Sequence, residues 1–171
     1  SIDAVSIVTP DHWHAIMSIL AARAGKHVYC EKPLTFTIQE GEQIVKAVKS
    51  AGVVFQTGSQ QRSETSFRNA VQLARTGMLG DIKAVFCGVP WRFPVFYNWP
   101  AEELPSTMDW EMWVGPAPMR PYTSHLLHPL LAPNAKGGMF GYAWGEWRWH
   151  YDYGNGMQGD WGAHHFDIAQ W

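Results

Sequence analysis

The chain has 171 residues, of which 46% are hydrophobic and 16% charged, and its formal net charge is −2. This length holds one domain or parts of two, with enough apolar material for a core. The small charge argues against nucleic acid or an anionic membrane as a partner, and no apolar run reaches the roughly 18 residues of a membrane span.

The first third of the sequence alternates between short apolar runs and helical patterns. Strands are predicted at 4–8, 27–30 and 53–56. Helices are predicted at 12–24 and 38–50, with Asp11 and Thr37 as their N-caps. Strands that alternate with helices of this length are typical of βαβ units and a parallel sheet. We therefore predict an α/β fold with a domain boundary near Gly58.

The sequence changes character after that boundary. A helix is predicted at 67–75 and a long strand at 82–89, and both cysteines, Cys30 and Cys87, then fall in predicted strands as buried free thiols. Residues 90–159 are rich in Trp, Pro and Gly and show no sustained period. Such a stretch is too long for a simple connection, so we expect it to build a site or an interface.

Lys32, Asp160 and His164 are the residues most suggestive of chemistry. Lys32 follows a predicted parallel strand, and open α/β sheets bind ligands beyond the carboxyl ends of their strands. Asp160 and His164 are four residues apart and share one face of a predicted helix. Together the three side chains could handle the proton of a sugar or polyol hydroxyl. The alternative is a surface lysine and two unrelated polar residues.

One motif is a decoy. Gly154-Asn-Gly156-Met-Gln-Gly159 matches G-x-G-x-x-G, but no convincing strand precedes it and no acidic residue follows about 20 positions later. We interpret it as a loop that leads into the Asp160 helix.

Three segments occur in an order that matches a known family. They are Thr9-Pro10-Asp-His-Trp-His14, Gly25-Lys-His-Val-Tyr-Cys-Glu31-Lys32-Pro33 and Gly159-Asp160-Trp-Gly-Ala-His164-His-Phe-Asp167. Together they resemble the Gfo/Idh/MocA oxidoreductases. The stretch from Asp109 to Pro118 resembles the branch with glucose–fructose oxidoreductase and the NAD-dependent glycosidases. The family's amino-terminal glycine-rich loop is missing, so we expect a fragment that also lacks the carboxyl-terminal end of the parent.

The resemblance implies a fold for each part. Residues 1–58 correspond to the C-terminal half of a Rossmann-type parallel sheet. Residues 59–171 correspond to the start of an α+β substrate domain with a mainly antiparallel sheet. We expect residues 1–171 alone to aggregate or stay partly molten and to bind no NAD(P), and the intact parent to form a homo-oligomer. Cytoplasmic localisation is the default expectation, and periplasmic export stays open because residues before Ser1 could carry a signal.

The resemblance also implies roles for individual residues. The catalytic residues are Lys32, Asp160 and His164, and the Lys32-Pro33 bond is a candidate cis peptide. The residues implied in binding NAD or NADP are Thr9, Pro10, His14, Glu31, Lys32 and Pro33, with Gln60 and Arg62 as weaker cofactor or hinge candidates. His165 and Asp167 are interpreted as structural.

The implied reaction is hydride transfer between nicotinamide and a sugar, polyol or glycoside carbon. His164 would take the hydroxyl proton, Lys32 would polarise the oxygen, and Asp160 would orient the histidine or hold a neighbouring hydroxyl. An NAD-dependent glycosidase that oxidises its sugar transiently stays open, as does a catalytically silent sugar sensor. A metal site built from His150, Asp152, Asp160, His164 and His165 has suitable ligand types but no familiar spacing, so no metal is predicted.

Aromatic residues sharpen the substrate hypothesis. Nine of the ten tryptophans lie from Trp91 onward, and aromatic faces suit the C–H faces of a sugar ring. The preferred substrate-binding candidates are Trp91, Arg148, Trp149, Tyr151 and Trp161, while core packing remains the alternative for each tryptophan.

Overall fold

A computed structural model describes residues 2–89, 98–127 and 145–171. Three strands in these ranges, β1 (Ala4–Ile7), β2 (His27–Glu31) and β3 (Phe55–Gly58), form a parallel sheet in the order β1-β2-β3. The α-helices are α1 (Asp11–Arg23), α2 (Ile38–Ala51), α3 (Thr65–Arg75), α4 (Trp110–Val114) and α5 (Ala163–Gln170). Short 3-10 helices lie at Gln60–Ser63, Ser124–Leu126 and Glu146–Trp149, and a π-helix at Gln158–Gly162.

The register of the sheet aligns its strand ends. Ile7 pairs with Cys30, and Glu31 pairs with Gly58. Because parallel strands run in the same direction, the segments that follow them leave the sheet at one edge. Thr9-Pro10, Lys32-Pro33 and the Gln60–Ser63 turn therefore lie beyond the same edge, where α/β sheets bind ligands.

The α/β prediction for residues 1–58 is confirmed, and the predicted element bounds shift by at most two residues. The third strand begins at Phe55 rather than Val53, because the N–H of Val54 is bound to the His27 Nδ1 atom at 3.0 Å. Thr37 caps α2 through a capping box with Glu40, as the sequence predicts. Helix α1 begins at Asp11 itself, with Pro10 in the N-cap position, so Asp11 is not the cap.

Helix α1 buries a different face from the one its large apolar residues suggest. Ile16 and Leu20 are exposed, whereas the buried positions are Asp11, His12, His14, Ala15, Ser18 and Ala22. Small side chains at Ala15, Ser18 and Ala22 let the helix backbone approach its neighbours closely. The close approach of the helix also buries the polar residues of its first turn near the strand ends.

Two hydrophobic clusters hold the described residues together. The first lies on the sheet and contains the buried residues Ile7, Val28 and Cys30, with Met17, Leu34 and Phe55 packed against them. The second is aromatic and contains Trp110, Val114, Tyr122, Leu126, Leu127, Trp147 and Tyr153. Burial of large apolar side chains on this scale is the main favourable term in folding each region.

The predicted strand at 82–89 is wrong. The structure shows no regular element there, and Phe86 is 93% exposed. A strand is stabilised by pairing with a neighbouring strand, and no described strand pairs with this segment. Cys87 is consequently exposed rather than buried, whereas Cys30 is buried as predicted, and both thiols are free. The antiparallel sheet expected after residue 58 does not occur within the described ranges.

None of the helices within the described ranges combines the length and the hydrophobicity that crossing a membrane requires.

Candidate active site

The site is centred on a contact between the end of β2 and the π-helix. The Lys32 Nζ atom donates to Asp160 twice, to the Oδ1 atom at 2.6 Å and to the backbone carbonyl at 2.8 Å. The two residues are 128 positions apart, and their side chains are 16% and 21% exposed. The Lys32-Pro33 peptide bond is cis, which confirms the prediction. The structure thus joins two segments that the sequence singles out separately.

The π-helix explains how Asp160 offers two oxygens to one ammonium. A π-turn is wider than an α-turn, and such turns often occur at functional sites. Asp160 lies in the π-helix Gln158–Gly162, and α5 continues from it without a break. Its backbone carbonyl accepts from Lys32, so main chain and side chain hold the lysine together.

His164 lies in the first turn of α5, four residues after Asp160. Partial burial lowers the pKa of His164, and the positive charge of Lys32 lowers it further, while the Asp160 carboxylate acts in the opposite direction. The imidazole is therefore neutral at neutral pH and available to accept a proton. This is the state that a general base requires.

Arg148 is a third charged partner of Asp160. Its Nε atom lies 3.8 Å from the Asp160 Oδ2 atom, whereas Lys32 Nζ contacts the Oδ1 atom. The guanidinium stacks over the Trp147 ring, 4.3 Å from its centroid. Arg148 thus belongs to the same charge cluster, which is the position expected of a substrate-binding candidate near Lys32 and Asp160.

Asp11 is a site residue that the sequence reasoning interpreted only as a helix cap. It is 6% exposed, and the backbone N–H of Asn155 donates to its carboxylate. Burial is the main cause that raises the pKa of Asp11 to about 7; the Asp160 charge adds to it, and Arg148 and Lys32 oppose it. The only available signal was its position after Thr9-Pro10 at the end of a strand.

His14 connects two strand ends. Its Nδ1 atom lies 2.7 Å from the Pro33 carbonyl and its Nε2 atom 2.8 Å from the Thr9 carbonyl. The ring is buried, and burial lowers the pKa of His14, while both carbonyls raise it. Whichever nitrogen carries the proton, the imidazole lies between the loops that follow β1 and β2. Thr9, Pro10, His14 and Pro33 therefore form one structural unit.

The weaker cofactor candidates have different surroundings. Arg62 makes a bidentate bridge to Asp167, with distances of 2.6 and 2.8 Å, and lies over the Trp171 ring. This contact suits the hinge interpretation of Arg62 and a structural role for Asp167. Gln60 is exposed. Its neighbour Gln61, which the sequence analysis did not consider, has a buried Oε1 atom without a partner among the described residues.

The substrate-binding candidates separate into groups. Trp91 lies outside the described residues. Trp149 is 5% exposed, so its ring belongs to the protein interior. Tyr151 is exposed and meets the Phe36 ring edge-on at 6.1 Å, in the loop that follows Lys32. Trp161 is 44% exposed and adjoins Asp160. Tyr151 and Trp161 therefore have aromatic surface available beside the site.

His165 does not point into this cluster. Its Nδ1 atom donates to the Gly88 carbonyl at 2.6 Å, and its ring packs against Trp161. Within the described ranges, no three His, Cys, Asp or Glu side chains are grouped in a way that could hold a metal ion.

Thr9 and Glu31 also lie at the carboxyl ends of the strands. We call this edge of the sheet, together with Gln61 in the turn after β3, the strand-end crevice. The Thr9 Oγ1 atom is buried and has no partner among the described residues. Glu31 pairs in register with Gly58, and a side chain at position 58 would contact the Glu31 carboxylate. The crevice thus carries a carboxylate and buried polar atoms that a polar ligand could satisfy.

Part of the chain is similar to known proteins. Residues 1–59 match the model of the oxidoreductase family GFO_IDH_MocA, described as having an NAD-binding Rossmann fold. The NAD(+)-dependent scyllo-inositol 2-dehydrogenase of Bacillus subtilis is 39% identical over 79 residues, which are 46% of this chain and 23% of that protein. Levoglucosan dehydrogenase of Pseudarthrobacter phenanthrenivorans is 38% identical over 81 residues, 47% of this chain and 21% of that protein.

Among solved structures, one similar protein is the scyllo-inositol dehydrogenase of Lactobacillus casei with bound NAD(H) and scyllo-inositol. It is 38% identical, with a TM-score of 0.45, over 47% of this chain and 24% of that one. The matched residues span less than a quarter of the length of all three proteins. Over residues 1–59, the chain is similar to the Gfo/Idh/MocA oxidoreductase family.

Proposed function

We propose that the protein is an NAD(P)-dependent oxidoreductase that transfers a hydride between nicotinamide and a hydroxyl-bearing carbon of a sugar, polyol or glycoside. The observation that carries this proposal is the Lys32–Asp160 contact at the carboxyl edge of a sheet whose family binds NAD. It brings a cation, a carboxylate and a neutral histidine together where α/β folds bind ligands.

The strand-end crevice fits the nicotinamide end of the cofactor. Thr9 and Gln61 each have a buried polar atom without a partner in the described ranges, and Glu31 offers a carboxylate for a ribose hydroxyl. Thr9, Glu31 and Lys32 would hold this end of the cofactor. When bound, nicotinamide accepts or returns the hydride. The choice between NAD and NADP belongs to the proposal, and the family description names NAD.

The protein side chains would manage the proton and the oxygen. His164, kept neutral by burial and by Lys32, would accept the hydroxyl proton. The Lys32 ammonium would donate a hydrogen bond to the same oxygen and stabilise developing negative charge. Asp160 would hold Lys32 in position through two contacts, which keeps the ammonium oriented. Asp160 thus acts on the lysine in addition to its predicted influence on His164.

A carbohydrate substrate suits the surroundings of this pair. Trp161 and Tyr151 have exposed aromatic surface beside Asp160 and the Lys32 loop, and Arg148 offers hydrogen-bond donors. Aromatic faces and charged donors in one pocket match the C–H faces and hydroxyl groups of a sugar ring. The relatives named above include dehydrogenases of an inositol and of levoglucosan.

The test is a substrate panel for the full-length protein, with sugars, polyols, glycosides, simple alcohols and amino acids, each with NAD+ or NADP+. We expect stoichiometric formation of reduced cofactor with at least one carbohydrate. Glycoside cleavage without net reduced cofactor would favour the glycosidase alternative. Sugar binding without any turnover would favour the sensor. Activity on alcohols or amino acids and none on carbohydrates would contradict the proposal.

A further inference from the structure

Asp11 occupies a buried position that the proposed reaction does not use. It is the first residue of α1, directly after Thr9-Pro10 at the end of β1, and it is 6% exposed. Its carboxylate accepts from the Asn155 backbone N–H, so it connects the strand ends with the segment that leads into the π-helix. Aspartate is rarely buried to this extent without a partner, which makes its surroundings informative.

The charged groups around Asp11 are those of the candidate site. The charges of Lys32, Asp160 and Arg148 all act on its carboxylate. His14, one turn further along α1, lies 2.7 Å from the carbonyl of Pro33, the residue after Lys32, so the start of α1 and the end of β2 adjoin. Two cations therefore meet two carboxylates. Lys32 lies 2.6 Å from Asp160, and the Arg148 Nε atom lies 3.8 Å from it, so Asp160 contacts both of the cations whose charges act on Asp11.

We propose that Asp11 is a positioning residue of the active site that competes with Asp160 for Lys32 and Arg148 and thereby sets how firmly the Lys32 ammonium is held. With Asp11 ionised, the four side chains carry no net charge and the ammonium is stabilised by two carboxylates. With Asp11 protonated, the cluster carries one net positive charge and Asp160 is the remaining carboxylate for both cations. In a buried site each such charge has a large effect, because water screens it little.

Asp11 gains and loses its proton within the pH range in which enzymes commonly work. Burial, with the nearby Asp160 charge, raises the pKa of this carboxyl to about 7, against the opposing effects of Arg148, Lys32 and the Asn155 N–H. Residues with strongly shifted pKa values cluster at functional sites. The state of Asp11 therefore changes with pH near neutrality, and with it the charge around Lys32. This inference rests on the proposed role of Lys32 in the reaction.

The test measures the reactivity of Lys32 without substrate or cofactor, so it stays separate from the test of the proposed function. The full-length protein is acetylated to low conversion with acetic anhydride, and mass spectrometry compares Lys32 with the exposed Lys49 in each sample. In Asp11→Asn we expect Lys32 acetylation at pH 8 to rise about three- to tenfold, because the lysine loses the charge of one nearby carboxylate. Asp81→Asn removes an exposed carboxylate and should change nothing.

The wild-type protein supplies a measurement that does not depend on how the variant folds. Lys32 acetylation should rise less steeply with pH around 7, where Asp11 ionises, than Lys49 acetylation. Asp11→Glu should show the same shallow rise of Lys32 acetylation with pH if the longer carboxylate is accommodated. In active protein, the dependence of kcat on pH should change its slope near pH 7, and this change should disappear in Asp11→Asn, with KM for the cofactor unchanged. Parallel pH profiles for Lys32 and Lys49, or equal Lys32 acetylation in a folded Asp11→Asn variant, would overturn the proposal.

Discussion

The two regions of the molecule are held together in different ways. Residues 2–58 form a regular βαβαβ unit whose strands, caps and turns each have local sequence signals. The described residues from 98 to 171 contain short helical pieces and an aromatic cluster, with no strand in those ranges. The first region is specified by periodicity and capping, whereas the second depends on side chains that contact distant backbone groups.

Contacts between these regions show what the irregular part contributes. His12 and Trp13, at the start of α1, both donate to the Trp113 carbonyl, at 3.1 and 3.2 Å. The Asn155 side chain donates to the Phe36 carbonyl at 3.2 Å. Lys32 meets Asp160 beside these contacts. A regular unit thus supplies rigid strand ends, and an irregular segment supplies the groups that meet them, which is a common division between scaffold and site.

The largest expected effect lies in the second region, at His164. Replacing it with alanine removes the proposed general base, so kcat should fall by about two to four decades while cofactor affinity stays within a few-fold. The matched control is His165→Ala, because that ring is turned toward Gly88 and should affect kcat little. Steady-state kinetics and a cofactor titration of the full-length variants provide the readout. Near wild-type turnover in His164→Ala would exclude this residue as the base.

Gly115 provides the next largest effect and tests the junction between the regions. It follows α4 with a φ of 52°, and an added Cβ would overlap the Trp13 indole. Gly115→Ala should therefore destabilise the protein by about 2–4 kcal/mol, combining an unfavourable φ with a clash. Gly80 has a φ of 71° and open space around it, so Gly80→Ala isolates the backbone contribution. Denaturant unfolding measures both variants. Equal losses of unfolding free energy in the two would show that the Trp13 contact is unimportant.

Asp11 provides a smaller, pH-dependent effect on stability. Burial raises the pKa of Asp11 to about 7, so the folded protein binds this proton more tightly than the unfolded chain does. Stability from this group is therefore highest at acidic pH and falls as the pH rises from about 4 to about 7. The unfolding free energy of Asp11→Asn minus that of the wild type should therefore be about 2 kcal/mol larger at pH 8 than at pH 5. Thermal unfolding at both values, with Asp81→Asn as control, measures this difference, and a pH-independent change would contradict it.

The smallest effect belongs to the regular region. Thr37 closes the capping box of α2 with Glu40, through bonds of 3.2 and 2.9 Å. Thr37→Ala should cost about 1 kcal/mol of unfolding free energy, because one orphan N–H of the first turn loses its partner. Thr65→Ala at the start of α3, where no side chain caps the helix, should be nearly neutral. A loss above that of Gly115→Ala would reverse the comparison between the regions.

Local signals explain how far the fold could be predicted. The strand and helix order of residues 2–58, the Thr37 cap and the cis Lys32-Pro33 bond all depend on residues close in sequence. The prediction of a strand at 82–89 was wrong because an apolar pattern does not indicate whether a partner strand lies beside the segment. The buried face of α1 cannot be inferred from its large apolar residues for a similar reason: Ile16 and Leu20 are exposed, whereas the small residues Ala15, Ser18 and Ala22 are buried.

The candidate site was predictable only in part. The position of Lys32 after a strand and the helical spacing of Asp160 and His164 indicated chemistry at each segment. Only the family resemblance connected the two segments, since spacing alone cannot bring together residues 128 positions apart. The π-helix around Asp160 and the burial of Asp11 depend on packing between distant segments, so neither leaves a pattern in the sequence. The sequence does not distinguish Tyr151 and Trp161 from Trp149, because all three are aromatic residues close to the predicted site. The structure is needed to separate the two exposed rings from the buried one.

The central claim is that Lys32 and Asp160 act as one unit. A double-mutant cycle on kcat tests it most directly, with Lys32→Met, Asp160→Asn and the combined variant in the full-length protein, and with cofactor binding measured for each. We predict strong non-additivity: either single change should remove most of the activity that the pair supports, so the double variant loses little more. Losses in kcat that simply multiply would show that the two residues act independently and would contradict the account.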